Sequence, residues 1–249
     1  MLPLRDNIPT RRLPIVTIAL IVANVAMYFL FQRAGLLAGP DPENAFVYGA
    51  IPYELSNFGE QCEQVSPDEA RCGTGGGSQP GVLTTVLTSM FMHGGLLHLG
   101  GNMLFLWIFG NNVEDSMGRI RFLLFYLLGG AVAFLAQTLA APDAVVPTVG
   151  ASGAVAAILG GYALLYPRAR VVTLVIIIFF ITLIELPAVL VLGFWFLLQL
   201  LNGTAEQVGQ GGVAYFAHIG GFVFGLVLIK IFANRFNPDY DEPSRLPVY

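Results

Sequence analysis

Long runs of apolar residues, separated by polar or charged stretches, dominate this 249-residue chain. About 20 apolar residues are enough for an α-helix to cross the hydrocarbon core of a bilayer, and several of the runs approach that length. Charged residues make up only 11% of the chain, whereas about 25% is typical of a soluble domain. The sequence therefore predicts an all-α polytopic membrane protein.

Six of the apolar runs are predicted to be membrane-spanning helices. They cover about Leu13–Phe31, Leu96–Asn111, Ile120–Ala140, Ser152–Tyr166, Ala188–Leu201 and Val213–Phe232. A further run, Val171–Ile184, has only fourteen residues and contains two threonines, which is short for a span. We expect this run to lie at the membrane interface or to be re-entrant.

The distribution of Lys and Arg predicts how these helices are oriented. With six spans and a cytoplasmic N-terminus, only Arg33 and Arg71 of the 12 Lys and Arg residues fall outside, as the positive-inside rule requires. The predicted organisation is a cytoplasmic segment at 1–12, a membrane domain at 13–232 and a cytoplasmic tail at 233–249. A long external loop covers about 33–92. The compact form leads us to expect a prokaryotic plasma membrane.

Two cysteines, Cys62 and Cys72, lie in the predicted external loop. In an oxidising compartment they could form a disulfide that closes a small ring. Two unpaired thiols are the alternative, because bond geometry cannot be derived from sequence. We favour the disulfide, as a structural staple.

A serine between glycines begins the fourth apolar run, in the stretch Gly150–Gly153. Unpaired backbone N–H groups at a helix N-terminus favour negative charge, which suits a nucleophile whose reaction creates an oxyanion. Serine is also a favoured N-cap, and glycines allow membrane helices to pack closely. Taken alone, this stretch favours the structural interpretation.

A histidine in the last apolar run, His218, provides a partner for Ser152. Ionisable side chains in membrane helices are rare and indicate function. His218 shares a helix face with Gly221 and Gly225, and small residues follow Ser152 at four and eight positions. Such stripes permit close helix packing, and six spans would place both side chains near the external end. The pair would be a nucleophile and its general base; a packing histidine bonded to a carbonyl is the alternative.

The second predicted span carries His98 and Asn102, which lie one helical turn apart on the same face. Both side chains can donate hydrogen bonds, which suits an oxyanion hole. Zinc is the competing interpretation, but His93 and His98 are five residues apart and no carboxylate or thiolate accompanies them. We therefore expect no metal, and we expect His93 to anchor the loop before this helix.

Together these motifs resemble those of the rhomboid intramembrane serine proteases. The family pattern H-x4-H-x3-N matches His93, His98 and Asn102. The pattern G-x-S-G matches Gly150–Gly153, and A-H-x-x-G-x3-G matches Ala217–Gly225. Each motif is weak alone, but their order and spacing together are specific.

The resemblance covers residues 13–232 and implies a six-helix bundle with a long first loop that lies partly in the membrane. It implies a dyad of Ser152 and His218 without a carboxylate. It also implies that His98, Asn102 and the Ser152 N–H form the oxyanion hole, with a substrate gate near the fifth helix. Gly150, Gly153, His93, Gly221 and Gly225 would support this site.

One position departs from the family pattern. Some members carry a tyrosine four residues after the serine that stacks on the histidine, whereas this chain has Ala156. The sequence therefore leaves open how the ring of His218 is held.

The function that these residues favour is hydrolysis of peptide bonds in or near the transmembrane segments of membrane proteins. A catalytically silent relative that binds membrane helices is the alternative, although this chain retains both Ser152 and His218. A transporter is a third interpretation, but only Glu185, at a helix boundary, suggests an ion path. Transmembrane substrates and the bilayer are the expected partners. No cofactor is implied, no basic patch suggests nucleic acid, and the oligomeric state is not predicted.

Overall fold

The computed structural model describes residues 2–36, 39–66, 69–74, 79–177, 180–205 and 213–234. The helices in this part of the chain are α1 (Ile15–Ala26), α2 (Pro42–Tyr48), α3 (Pro52–Ser56), α4 (Val82–Ser89), α5 (Leu96–Phe105), α6 (Asn111–Met117), α7 (Arg119–Ala140), α8 (Ser152–Leu165), α9 (Ala188–Ala205) and α10 (Tyr215–Phe232). The strands are β1 (Leu2–Asp6), β2 (Gln61–Ser66), β3 (Glu69–Gly73), β4 (Arg170–Ile177) and β5 (Phe180–Pro187). Two π-helical turns, Met27–Phe31 and Leu106–Gly110, extend α1 and join α5 to α6.

Three of the described helices, α7, α9 and α10, are long and apolar enough to cross a membrane. α8 and α1 with its π-helical extension are apolar but shorter. The predicted spans are helical over most of their length, whereas the number of crossings and the side on which the first loop lies stay predictions. From residue 235 onward, the predicted tail at 233–249 lies outside the described residues.

The run Val171–Ile184 forms most of the paired antiparallel strands β4 and β5, so the all-α prediction is wrong in part. That this run lies at the membrane interface or is re-entrant stays a prediction. β4 pairs antiparallel with β5 along its whole length, and β1 pairs with the other edge of β4. The run is rich in β-branched residues, which favour strands. Alternate β4 side chains, Val171, Thr173 and Val175, are buried on one face. A short apolar run does not reveal by periodicity alone whether it is helix or strand.

The predicted external loop at 33–92 contains α2, α3, the β2–β3 hairpin and α4. Cys62 and Cys72 stand directly opposite each other in that hairpin and are joined by a disulfide. The buried carboxylate of Glu54 accepts a hydrogen bond from the backbone N–H of Cys62 at 2.9 Å. Burial raises the pKa of Glu54 above its usual value. The disulfide closes the hairpin, and the hydrogen bond from Cys62 ties the hairpin to α3.

The middle of the core is α8, which packs against α7 and α10. Every residue from 153 to 162 is buried, and small side chains allow the neighbouring helices to come close. A Cβ on Gly221 of α10 would lie 2.2 Å from the carbonyl oxygen of Gly153. The predicted small-residue stripes therefore face each other across this helix pair.

The N-terminus of α1 is capped by a side chain from a distant part of the chain. The buried carboxylate of Glu114 accepts hydrogen bonds from the backbone N–H groups of Val16 and Thr17, at 3.1 and 2.8 Å, and from the Thr17 hydroxyl. A negative charge is stabilised by the unpaired N–H groups at a helix N-terminus. Glu114 therefore attaches α1 to α6.

Candidate active site

Ser152 and His218 are brought into contact by the packing of α8 against α10. Ser152 is the first residue of α8, and His218 lies in the first turn of α10. The Ser152 Oγ and the His218 Nε2 are 2.7 Å apart, which is hydrogen-bond distance. A hydroxyl bonded to an imidazole nitrogen is the arrangement in which a base can activate a nucleophile.

The loop before Ser152 turns at Gly150, whose φ of +136° is a conformation that favours glycine. The N–H of Gly150 donates to the carbonyl of Ser89 at 2.9 Å, which fixes this loop against the end of α4. A Cβ at Gly150 would lie 2.8 Å from His98 Nε2 and 3.5 Å from Ser152 Oγ. A side chain at this position would therefore collide with the His98 ring beside the nucleophile.

Asn102 is buried one turn after His98, and its side-chain N–H donates to the His98 carbonyl at 3.1 Å. Its amide has a second N–H group, and both residues line the cavity that contains Ser152. The four side chains proposed for chemistry, Ser152, His218, His98 and Asn102, therefore lie around one space.

His93 lies beside this space but not in it. Its ring is buried and makes an edge-on contact with the His98 ring at 5.1 Å between centroids. The buried amide of Gln32 holds its backbone at both polar atoms, since Gln32 Nε2 donates to the His93 carbonyl at 3.0 Å and Oε1 accepts from the His93 N–H at 2.9 Å. The His93 loop is therefore anchored to the end of α1. Sequence reasoning missed Gln32, whose partner is 61 residues away.

A cavity of about 770 Å³ opens onto Ser152 and His218. Most of its lining side chains are small or apolar, and the polar groups include the four named above. The volume lies within the range of about 300–1,000 Å³ that is usual for ligand sites. A few polar groups that converge in an apolar cleft are typical of an active site.

The ring of His218 is held by residues of α9, which sequence reasoning also missed. Its Nδ1 lies 2.8 Å from the side-chain Oε1 of Gln199, and its ring centroid lies 5.7 Å from that of Trp195. These contacts answer the question raised by Ala156, which is fully buried on α8. The available signal was a single glutamine within an otherwise apolar run.

No group of three or more His, Cys, Asp or Glu side chains is placed to hold a metal ion in the described part of the chain. His93 and His98 contact each other through their rings.

The fold and the site together define an integral membrane protein in which two apolar helices bring a serine and a histidine together. Residues 80–235 match the family described as Rhomboid domain. The chain belongs to the rhomboid family, which confirms the resemblance seen in its motifs.

Relatives of this chain occur in fungi, bacteria and plants. It is 31% identical to Rhomboid protein 1, mitochondrial, of Saccharomyces cerevisiae, over 57% of this chain and 40% of that protein. It is 43% identical to Rhomboid protease GluP of Bacillus subtilis, over 32% of this chain and 15% of that protein. It is 32% identical to RHOMBOID-like protein 4 of Arabidopsis thaliana, over 66% of this chain and 40% of that protein. The chain thus spans less than half the length of these relatives.

Proposed function

We propose that this protein is an intramembrane serine endopeptidase that cleaves transmembrane or juxtamembrane segments of membrane proteins. The observation that carries the proposal is the distance of 2.7 Å between Ser152 Oγ and His218 Nε2 in a cavity among apolar helices. The name of the Bacillus relative, Rhomboid protease GluP, supports the same activity.

In the proposed reaction, Ser152 Oγ attacks the carbonyl carbon of the scissile peptide bond while His218 Nε2 takes the hydroxyl proton. The tetrahedral intermediate carries an oxyanion, for which His98, Asn102 and the Ser152 N–H are the proposed donors. Collapse of the intermediate breaks the C–N bond, and His218 gives its proton to the leaving amine. Water then attacks the acyl-enzyme with His218 again acting as base, which frees the second product and the serine.

The position of Gly150 supports this assignment of the oxyanion donors. It adjoins both the nucleophile and His98 Nε2, and donors near the developing negative charge stabilise the transition state. A peptide bond within an intact helix is shielded from attack. We therefore expect preferred substrates to contain helix-breaking residues near the cleaved bond.

The proposal includes a topology of six spans with both termini in the cytoplasm and the first loop outside. The domains would be 1–12, a membrane domain at 13–232 and a tail at 233–249. The positions of Lys and Arg support this orientation, and the disulfide in the first loop suits an oxidising side of the membrane. A prokaryotic plasma membrane is the proposed location.

The test compares cleavage of a model single-span substrate in liposomes by purified wild type, Ser152→Ala and Ser89→Ala. Ser89 is the matched control, because it lines the same cavity while its hydroxyl bonds to the carbonyl of Val86. Cleavage by wild type and Ser89→Ala, but not by Ser152→Ala, is the expected result. Equal cleavage by all three proteins would remove Ser152 from the mechanism.

A fluorophosphonate probe provides a second measurement that does not depend on the choice of substrate. We expect the probe to label wild type and Ser89→Ala at Ser152. If the folded wild type neither cleaves nor reacts, the catalytically silent alternative replaces the proposed one.

A further inference from the structure

We propose that Gln199 is the third member of the catalytic arrangement, a positioning residue that keeps the Nδ1 of His218 protonated and aims Nε2 at Ser152. The inference rests on the proposed function, because it concerns the same nucleophile and base. It adds a residue of α9 to a site otherwise built from α5, α8 and α10.

The orientation of the Gln199 amide is determined by its two hydrogen bonds. Its Nε2 donates to the carbonyl of Trp195 at 3.1 Å, and its Oε1 lies 2.8 Å from His218 Nδ1. In a flipped amide, Oε1 would lie against the carbonyl oxygen of Trp195, and neither oxygen could donate. The network therefore selects Oε1 as the atom that faces the imidazole.

An amide oxygen can only accept a hydrogen bond, so its partner on the imidazole must be an N–H. Protonation at Nδ1 leaves the lone pair of a neutral imidazole on Nε2, the atom that lies 2.7 Å from Ser152 Oγ. Gln199 therefore selects the tautomer that a general base for Ser152 requires. An amide oxygen plays a comparable part in cysteine proteases with a Cys-His-Asn arrangement.

Burial makes this hydrogen bond selective. Only 8% of Gln199 is exposed, so little water competes for its oxygen, and an imidazole with the proton on the wrong nitrogen would leave that oxygen without a donor. An unsatisfied buried polar group costs about 1–3 kcal/mol. The rings of Trp195 and Tyr215, at centroid distances of 5.7 and 6.4 Å, restrict the imidazole further.

The position of α9 then controls the alignment of the base. The start of α9 is attached to the segment before β4, since Ala188 N–H donates to the Ala169 carbonyl at 2.7 Å. Gln199 lies three turns further along, where the neighbouring Leu197 and Leu201 are about half exposed. A shift of α9 by about one ångström would weaken the hydrogen bond to His218.

The experiment compares Gln199→Met and Gln199→Glu with the full-length wild type in liposomes. Methionine has a similar length but lacks a strong acceptor, whereas glutamate retains an oxygen that accepts from Nδ1. We expect Gln199→Met to lower kcat about 10- to 100-fold, less than the roughly 100- to 10,000-fold of general acid–base catalysis as a whole, because Gln199 acts only through His218. KM should change little, and the thermal midpoint should fall by a few degrees, because the Nδ1–H of His218 loses its acceptor. Fluorophosphonate labelling of Ser152 should slow by a similar factor, and Gln199→Glu should retain more of both activities than Gln199→Met, because it keeps the acceptor for Nδ1 although it loses the donor to Trp195.

If Gln199→Met cleaves substrate and reacts with the probe at wild-type rates, the proposal for Gln199 is overturned. The assignment of Ser152 and His218 would not be affected. Equal losses in both variants, together with a lower thermal midpoint, would assign Gln199 to packing and would also overturn it. An inactive wild type that the probe does not label is a different outcome, because it contradicts the proposed function itself.

The unmodified protein permits a measurement that does not depend on whether a variant folds. The chain has three histidines, so ¹⁵N-imidazole labelling gives three pairs of signals, and those of His218 are identified by their loss in His218→Ala. We expect the neutral His218 ring to carry its proton on Nδ1. A proton on Nε2 would overturn the proposal.

Discussion

The backbone carbonyl oxygen of Ala157 in α8 lies 2.0 Å from the position that a Cβ on Gly225 of α10 would occupy. A similar approach occurs at Gly160, where a Cβ would lie 2.1 Å from the carbonyl oxygen of Phe222. The two helices therefore touch backbone to backbone, which only glycine permits at these points. Because Ser152 is on one of these helices and His218 on the other, this contact sets the distance between them.

Replacing Gly225 should separate the two helices. We expect Gly225→Ala to lower the free energy of unfolding by about 1–3 kcal/mol, as overpacking does, and to reduce cleavage at least about tenfold, since a displacement of about 1 Å can cost a factor of 100. Gly193→Ala on α9 is the control, because a Cβ there meets nothing within 4 Å. The measurements are the thermal midpoint and the cleavage rate in detergent. Equal behaviour of the two variants would contradict this account.

A side chain at Gly150 should disturb His98 rather than the dyad. The Cβ would lie 2.8 Å from the His98 ring, and φ at this position is +136°. We expect Gly150→Ala to slow both cleavage and fluorophosphonate labelling by about 100- to 1,000-fold, as loss of an oxyanion donor does. Gly95→Ala is the control in the same cavity, since a Cβ there has open space. A fully active Gly150→Ala protein would contradict the proposed role of His98 as an oxyanion donor.

Loss of the cap on α1 should destabilise the fold without altering the chemistry of the site. Glu114→Ala leaves the N–H groups of Val16 and Thr17 without their acceptor. We expect a loss of about 2–3 kcal/mol in the free energy of unfolding, as for hydrogen bonds to a charged group. Asp115→Ala is the matched control from the same turn, where the carboxylate accepts from the Arg11 N–H near the surface. The thermal midpoints of the two variants test this expectation. A smaller fall in the midpoint for Glu114→Ala than for Asp115→Ala would contradict it.

The carboxyl of Asp6 should make stability depend on pH. Asp6 accepts hydrogen bonds from the Tyr162 hydroxyl at 2.5 Å and from Asn112 Nδ2 at 2.6 Å, and burial raises its pKa from 3.8 to about 7. The folded protein therefore binds this proton more tightly than the unfolded chain. The stability that Asp6 contributes is fully present below about pH 4 and is lost as the pH rises to about 7.

Thermal midpoints of wild type and Asp6→Asn between pH 4 and 8 measure this effect. One pKa unit corresponds to about 1.4 kcal/mol, and because Asp6 is partly exposed we expect a change of about 1–2 kcal/mol in the difference between the two proteins. Subtracting the Asp6→Asn values removes the contribution of other groups, including Glu54. A difference that does not vary with pH would show that Asp6 has no raised pKa.

The parts of the site that could be predicted are those whose evidence lies in short segments. Ser152, His218, His98 and Asn102 each stand in a local pattern, and the structure places all four around one space. Gln199 could not be predicted as a partner of His218, because the two residues meet only when α9 packs beside α10.

The segment 171–184 shows the same difference between what could and what could not be predicted from the sequence. Its length and its β-branched composition were visible, but neither distinguishes a membrane-embedded segment from a strand that has a partner. The partner of β4 on one side is β1, whose residues lie more than 160 positions earlier in the chain.

The sequence alone determines that this chain is a membrane protein and which chemical groups its side chains provide. It can do so because hydropathy and residue identity are local properties. It does not determine which distant groups meet. The 2.7 Å between Ser152 and His218, the 2.8 Å between His218 and Gln199 and the capping of α1 by Glu114 follow from helix packing. That packing depends on the shapes of surfaces formed by many residues far apart in the chain, and it exists only once the helices have come together.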